Sequence, residues 1–389
     1  MSSSTSAVPE AHAAPRRTDW VALAREVGPV FAARAADHDE RDAFVAENYT
    51  QLTVRRFFSA GVLAELGGGG ASFPELCAML RELAQYCGST ALALSMHTHL
   101  LAATVWRWRQ GQPVEPLLRR IAQEQVVLVS TGASDWLDSS GTAERVEGGY
   151  RVTGRKIFGS GSPAGTLLVT SAVYDDPADG LTVLHFPVLL AAEGVTVLDN
   201  WRTMGMRATG SHDVLLDNVF VPEGAVSLRR PKGQWHTVFN VVVPIALPLI
   251  MSVYAGIAEA ASDLARGLAC KKNKRGFDPH LPYLLGEMDN RLVTAQLAVQ
   301  GMVDICDDFA FEPTVHTANA VLIRKTVTAN ACVQAVEKAL EVVGGGAFFR
   351  GVGLERLLRD VHGGPFHLLQ EKRQHLFTGR VALGLDPVG

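Results

Sequence analysis

Residues 241–258 contain no charged side chain and only two polar ones, Ser252 and Tyr254. A run that long and that apolar must be kept from water on all sides, so it demands either a bilayer or a large dry core. Pro244 and Pro248 stand near its start, no aromatic belt flanks it, and no second run like it occurs. It is expected to be a helix buried inside a large or oligomeric protein, with no membrane as partner. Such a core needs a long chain, and 389 residues suffice for two or three packed units.

Three zones of different texture follow. Residues 17–125 read as an N-terminal helical domain. Phe73, Leu76, Cys77, Leu80, Leu83, Ala84 and Cys87 recur at helical spacing, and Ser72 with Glu75 forms a capping box ahead of them. A second, more buried helix is expected over 88–101. Residues 126–232 switch to short β-branched runs (126–129, 150–158, 167–173, 181–186, 195–198, 214–221) separated by Gly, Asp, Asn and Pro, as in a compact all-β unit. Residues 233–389 return to helices, with Leu285, Met288, Leu292, Ala295, Val299, Met302, Cys306 and Phe309 on one stripe. Residues 1–16, rich in Ser, Ala and Pro without an apolar signal core, are expected to be a disordered tail.

A formal net charge of -4 argues against nucleic acid as a main partner. Five cysteines (Cys77, Cys87, Cys270, Cys306, Cys332) lack any CxxC pair, which points to reduced thiols in a cytoplasmic protein and to no metal site.

Several segments, taken in order, resemble the acyl-CoA dehydrogenase superfamily. They are the glycine turn at 61–68 ahead of the Ser72 helix, Cys-Gly-Ser-Thr-Ala at 87–91, Trp-Arg-Thr-Met-Gly-Met-Arg-Ala-Thr at 201–209 running into Val-Phe-Val-Pro at 219–222, the glycines 344–346, and Leu-Glu-Arg-Leu-Leu-Arg-Asp at 354–360. The resemblance spans residues 19–384. It implies an α+β fold with an N-terminal helical domain, a central β-barrel domain and a C-terminal four-helix bundle. It also implies a homotetramer and a flavin, FAD or FMN, between barrel and bundle.

The resemblance further implies site residues. Val129, Ser130 and Thr131 match the strand whose backbone and hydroxyls meet the flavin ring. Phe158 matches the aromatic that covers it, Ser160 the hydroxyl aimed at ring N5, and Gly161 the glycine that follows. Ser211 borders the ring in one branch, with His212 solvated. Gly344 and Gly345 match a turn that approaches a flavin held by the neighbouring subunit. Without the resemblance, Phe158–Gly161 reads as a hairpin turn and Gly344 as a helix C-cap.

Two departures stand out. Glu341 replaces a family Gln near the glycines, and the charged stretch 271–275 stands where a phosphate-binding motif is expected. Both weaken the implication of tightly held FAD and leave FMN, or reduced flavin delivered by a separate reductase. The catalytic glutamate is also missing. Counting eight residues from Asp360 reaches Leu368, and residues 239–258 hold no acid that could replace it. Losing a general base costs ~10²–10⁴ in rate. Glu371, one helical turn further, is a displaced candidate; His367 is the nearer titratable group.

The pattern Arg-Asp-Val through Gly-Pro-Phe-His at 359–367 resembles the branch that binds reduced flavin, reacts it with O2 and oxygenates a small substrate. There His97 is a candidate catalytic group beside His367 and Ser160, and His99 is expected to be structural. The expected function is thus a reduced-flavin-dependent monooxygenase. The alternatives are an acyl-CoA dehydrogenase with a displaced base and a non-enzymatic paralogue.

Overall fold

The computed structural model describes residues 18–131, 135–274, 276 and 278–389. The expected tail over 1–16 and Arg275 of the charged stretch lie outside the described residues. Five helices come first: α1 (Trp20–Glu40), α2 (Ala46–Val54), α3 (Phe73–Tyr86), α4 (Gly88–Arg109) and α5 (Glu115–Glu124). Asp19 caps α1 by accepting from the Ala22 amide at 2.9 Å. The Ser72–Glu75 capping box forms: the Glu75 carboxylate accepts from the Ser72 amide at 2.8 Å, and Ser72 Oγ accepts from the Glu75 amide.

The chain closes with α6 (Phe239–Asn273), α7 (Leu281–Cys306), α8 (Val315–Val343), α9 (Leu354–Val361) and α10 (Glu371–Ala382). Of the four helices expected here, α6, α7 and α8 are long, while α10 is a 12-residue helix laid on α8. Every residue from 243 to 259 of α6 is buried, because α3, α4, α7 and α8 surround it. Among the described residues this is the one helix long and apolar enough to cross a membrane, and protein covers it instead. Pro244 and Pro248 lie within the helix, each removing a backbone donor.

Between the helical parts lies one sheet: β1 (Leu128–Ser130), β2 (Thr142–Val146), β3 (Gly149–Gly159), β4 (Leu167–Asp176), β5 (Gly180–Leu189), β6 (Val195–Val197), β7 (His212–Pro222) and β8 (Leu228–Pro231). Its order is β6-β7-β3-β2-β4-β5-β8, with β1 pairing β4. The expected barrel is not closed, since no pairing among the described residues joins β6 to β8. The six expected strands are present. β2 and β8 were not expected, because Thr-Ala-Glu-Arg-Val and Leu-Arg-Arg-Pro lack an apolar run. They are held by ladder bonds to apolar neighbours and not by their own patterning.

One edge of β4 is shared. β1 pairs in parallel with residues 167–169 and β2 with Val173 and Tyr174. Thr170, Ser171 and Ala172 have no strand partner on that edge among the described residues. Side chains stand in for the missing ladder: Thr131 Oγ1 lies 2.9 Å from Thr170 Oγ1, and Ser139 Oγ lies 2.8 Å from Ser171 Oγ.

Candidate active site

A cavity of about 230 Å³ opens at this gap, between the sheet, α4, α6 and the loop before α10. Its wall is mostly apolar, with Met96, Leu100, Trp136, Phe239, Val243 and Leu368 among its residues. Polar groups enter from Ser130, Thr131, Thr170, Ser171, Asp135 and three histidines: His99, His185 and His367. A small apolar enclosure with a few convergent polar groups is the form a small-molecule site takes.

Burial keeps the three histidines neutral and pushes their pKa values down, His99 to about 4 and His185 and His367 to about 3. Arg230 beside His185 and Lys325 beside His367 add to the effect. Each ring then has a tautomer set by its partner. His99 Nδ1 lies 3.2 Å from the Ser95 carbonyl, which can only accept, so Nδ1 carries the proton and Nε2 is an acceptor. His185 Nε2 accepts from Arg230 Nε at 2.9 Å, so its proton is on Nδ1. His367 Nε2 lies 2.8 Å from the Tyr254 hydroxyl. Tyr254 is fully buried with no other partner among the described residues, so its phenol donates and His367 carries its proton on Nδ1.

The loop bearing His367 is fixed from below by Lys325. This buried ammonium donates to the carbonyls of Pro365 (3.2 Å), His367 (2.6 Å) and Leu369 (3.0 Å). Burial lowers its pKa to about 8.

Among the described residues the wall has one carboxylate, Asp135. Lys156 Nζ donates to Asp135 Oδ2 at 2.7 Å and the Ser140 hydroxyl donates to the same oxygen at 3.0 Å, so it is committed to a buried ion pair. Leu368 lines the wall where the family glutamate is expected. Glu371 is absent from the wall. It accepts from Asn330 at 3.1 Å and pairs with exposed Lys372, and both contacts hold its pKa below the usual range. In this arrangement of the loop it does not face the cavity. The first acid on α6, Glu259, is taken up by Arg81, Gln85 and Gln296.

His97 also departs from expectation. Its Nε2 donates to the Phe58 carbonyl at 2.7 Å and its Nδ1 accepts from the Leu128 amide at 3.0 Å. Both nitrogens are spent tying α4 to the Phe57–Ser59 turn and to β1, and the side chain is not on the wall. The cavity-facing histidine of α4 is His99, two positions on. Helix phase decides this, and the sequence left the phase open.

The remaining expected residues form a rim and a remote turn. Val129 puts its side chain into the sheet core, while Ser130 and Thr131 reach the cavity. A register shift between β3 and β7 at Lys156/Gly159 leaves Phe158 at φ +61 and 45% exposed, edge-on to Trp201 with centroids 5.9 Å apart. Ser160 Oγ lies 2.7 Å from Ser211 Oγ, which lies 2.6 Å from Thr209 Oγ1, which donates to the Met206 carbonyl at 3.0 Å. A carbonyl only accepts, so the protons run Ser160 to Ser211 to Thr209. Gly161 has φ +74, and a Cβ there would lie 2.7 Å from Tyr49 Oη, so only glycine fits. His212, expected to be solvated, is buried with Nδ1 accepting from the Asn200 and Trp201 amides at 3.1 Å each. Gly344 and Gly345 form an exposed turn after α8, away from the cavity wall, Gly344 at φ 73, ψ -151.

The Arg-Asp signature joins domains. Arg359 pairs with Asp39 of α1 at 2.6 Å, and Asp360 Oδ1 accepts from the Met206 amide at 2.5 Å.

Residues 21–124 match the acyl-CoA dehydrogenase N-terminal domain and residues 249–371 the acyl-CoA dehydrogenase C-terminal domain. The chain is 31% identical over 367 residues to L-evernosamine nitrososynthase of a Micromonospora species, covering 89% of this chain and 85% of that one. It is 26% identical to a probable FMNH2-dependent monooxygenase of Pseudomonas putida, SfnC, over 72% of each chain. The crystal structure of KijD3 in complex with FMN and dTDP-3-amino-2,3,6-trideoxy-4-keto-3-methyl-D-glucose superimposes with a TM-score of 0.84 at 26% identity, covering 94% of this chain and 93% of that one.

Proposed function

This chain belongs to the acyl-CoA dehydrogenase superfamily, and we propose that within it the protein is a monooxygenase that uses reduced flavin, FMN or FAD, on a small molecule. The observation that carries the reading is the chemistry of the cavity wall. Thioester dehydrogenation needs a free carboxylate to take a proton beside the carbonyl. Here Leu368 stands in that position and Asp135 is committed to Lys156. An apolar enclosure with three neutral histidines suits a reaction that must exclude water.

The rim fits a flavin ring. The exposed ring of Phe158, braced edge-on by Trp201, offers an apolar face, and Ser160 offers a polar contact beside it. Because the Ser160 proton is directed to Ser211, its oxygen is left as an acceptor. That matches the N5–H of a reduced ring better than the bare N5 of an oxidised one. Bound reduced flavin would supply the electrons that activate O2. The chain's own part is to hold substrate in the dry cavity, with His99 Nε2 accepting a substrate O–H or N–H and the Lys325-fixed loop setting His367.

A flavin reductase as partner follows from this reading and is supported by the FMNH2-dependent relative. A homotetramer is part of the same proposal, supported by exposed Phe348 (89%), Phe349 and Leu383 around α8 and α10, which a lone chain would leave wet. Five unpaired thiols support a reducing, cytoplasmic location.

The test supplies the purified chain with FMN, NADH, a flavin reductase and labelled dioxygen against a panel of small aromatics and amino sugars. Label entering an organic product is the expected result. Anaerobic bleaching of bound oxidised flavin by an acyl-CoA thioester would overturn the reading.

A further inference from the structure

Arg230 is fully buried, and its whole guanidinium is occupied. Nη1 donates to the Leu137 carbonyl and Nη2 to the Trp136 carbonyl, each at 2.6 Å, while Nε donates to His185 Nε2 at 2.9 Å. The ring of Phe239 lies under it, 5.0 Å from its carbon. Burial lowers the pKa of Arg230 to about 10, so at neutral pH a fixed cation stands behind His185, and its N–H leaves the imidazole one state, neutral with the proton on Nδ1. That N–H has no partner among the described residues, and His185 is a wall residue of the cavity. Its strand neighbour across the ladder is Ser171, at the gap in the β4 edge.

The wall carries no Lys or Arg among the described residues, and its one carboxylate is paired. Neither a diphosphate nor a carboxylate would find a free counter-charge in it. A neutral, mostly apolar molecule fits, and one that offers an acceptor takes the bond for which His185 Nδ1–H has no protein partner among the described residues, whereas one without an acceptor would cover that donor and leave it unmade at a cost. We infer that His185, locked and polarised by Arg230, is the specificity-determining residue that reads a carbonyl or ring-borne oxygen on a neutral, aromatic-sized substrate. The inference rests on the cavity being the substrate site of the proposed oxygenase. Arg230 acts only through His185 and is a positioning residue.

The experiment measures equilibrium binding to the purified full chain through the fluorescence of Trp136 on the cavity wall, with acetophenone and its near-isostere α-methylstyrene as probes. Acetophenone has the acceptor and α-methylstyrene lacks it. The unaltered protein is expected to bind acetophenone about tenfold more tightly. His185→Phe should erase that ratio while α-methylstyrene still binds. His185→Gln, which can accept from Arg230 and donate forward, should restore it. An acetophenone preference that survives in His185→Phe, or no preference in the unaltered protein, overturns the inference. Nitrogen NMR of labelled histidine gives a second test on unaltered protein: His185 protonated on Nε2 would also overturn it. Neither measurement needs turnover, so failure of oxygen transfer and failure of this inference are told apart.

Discussion

The Tyr254 hydroxyl donates to His367 Nε2 at 2.8 Å from the centre of the apolar helix α6, so the most buried helix of the protein fixes the tautomer of a histidine on the opposite wall. Tyr254→Phe should keep the fold, because the ring is retained, but free His367 to carry its proton on either nitrogen. Product yield per reduced flavin should fall several-fold, with stability lowered by about 1 kcal/mol. Unchanged coupling would mean that the tautomer of His367 is irrelevant.

The two histidines of α4 should separate cleanly. His99→Phe removes the cavity acceptor and is expected to lower oxygenation about 100-fold, with thermal stability nearly intact. His97→Phe breaks two core hydrogen bonds and should cost about 2 kcal/mol while turnover of the folded fraction persists. The reverse pattern would return the catalytic role to His97.

Ser160→Ala removes the acceptor that faces the rim. Reduced FMN should lose affinity while oxidised FMN changes little, as read by anaerobic and aerobic titration. Equal losses for both redox states would argue that the hydroxyl chain has no preferred direction.

Acid should destabilise the protein well above the carboxylate range. His97 and His99 fall to about 4 and His185 and His367 to about 3 when folded. Between about 6.5 and 4 the unfolded chain binds protons that the folded chain refuses, so stability drops as pH falls through that window. Each histidine contributes at most about 1.4 kcal/mol per pH unit. Asp360, raised to about 6 chiefly by burial, works in the opposite direction and offsets part of one. Urea unfolding at pH 7 and pH 5 measures the difference, and an equal midpoint at both would contradict it.

Gly161→Ala should be poorly tolerated. Positive φ costs a Cβ residue about 1–2 kcal/mol, and the new methyl would press on Tyr49. Lower expression and a reduced melting temperature are the expected outcomes.

The sequence was most legible where one physical signal acted alone. The buried run 241–258, the Ser72 capping box and the six β-branched strands carried their own pattern. Ser160 and Ser211 were each singled out by family likeness and not by spacing, and their hydrogen bond to each other was not foreseen. What stayed hidden was set by the partner. β2 and β8 are polar strands recruited by neighbours. Lys156, Arg230 and Lys325 look like ordinary surface cations until the fold buries them. The choice between His97 and His99 turned on helix phase, which a segment such as 88–105, with small polar residues spread all round it and no charged face, does not reveal.

The divided edge of β4 has a further consequence. Hydrogen bonding on both sides of the gap belongs to β1 and β2, whereas Asp135 and Trp136 belong to the chain that detours between them. Exchange or lengthening of that detour would remould the chamber without disturbing the ladders. One scaffold can in this way accept new chemistries by change in a single excursion, while the rim of Phe158 and Ser160 on the β3–β7 side keeps its geometry.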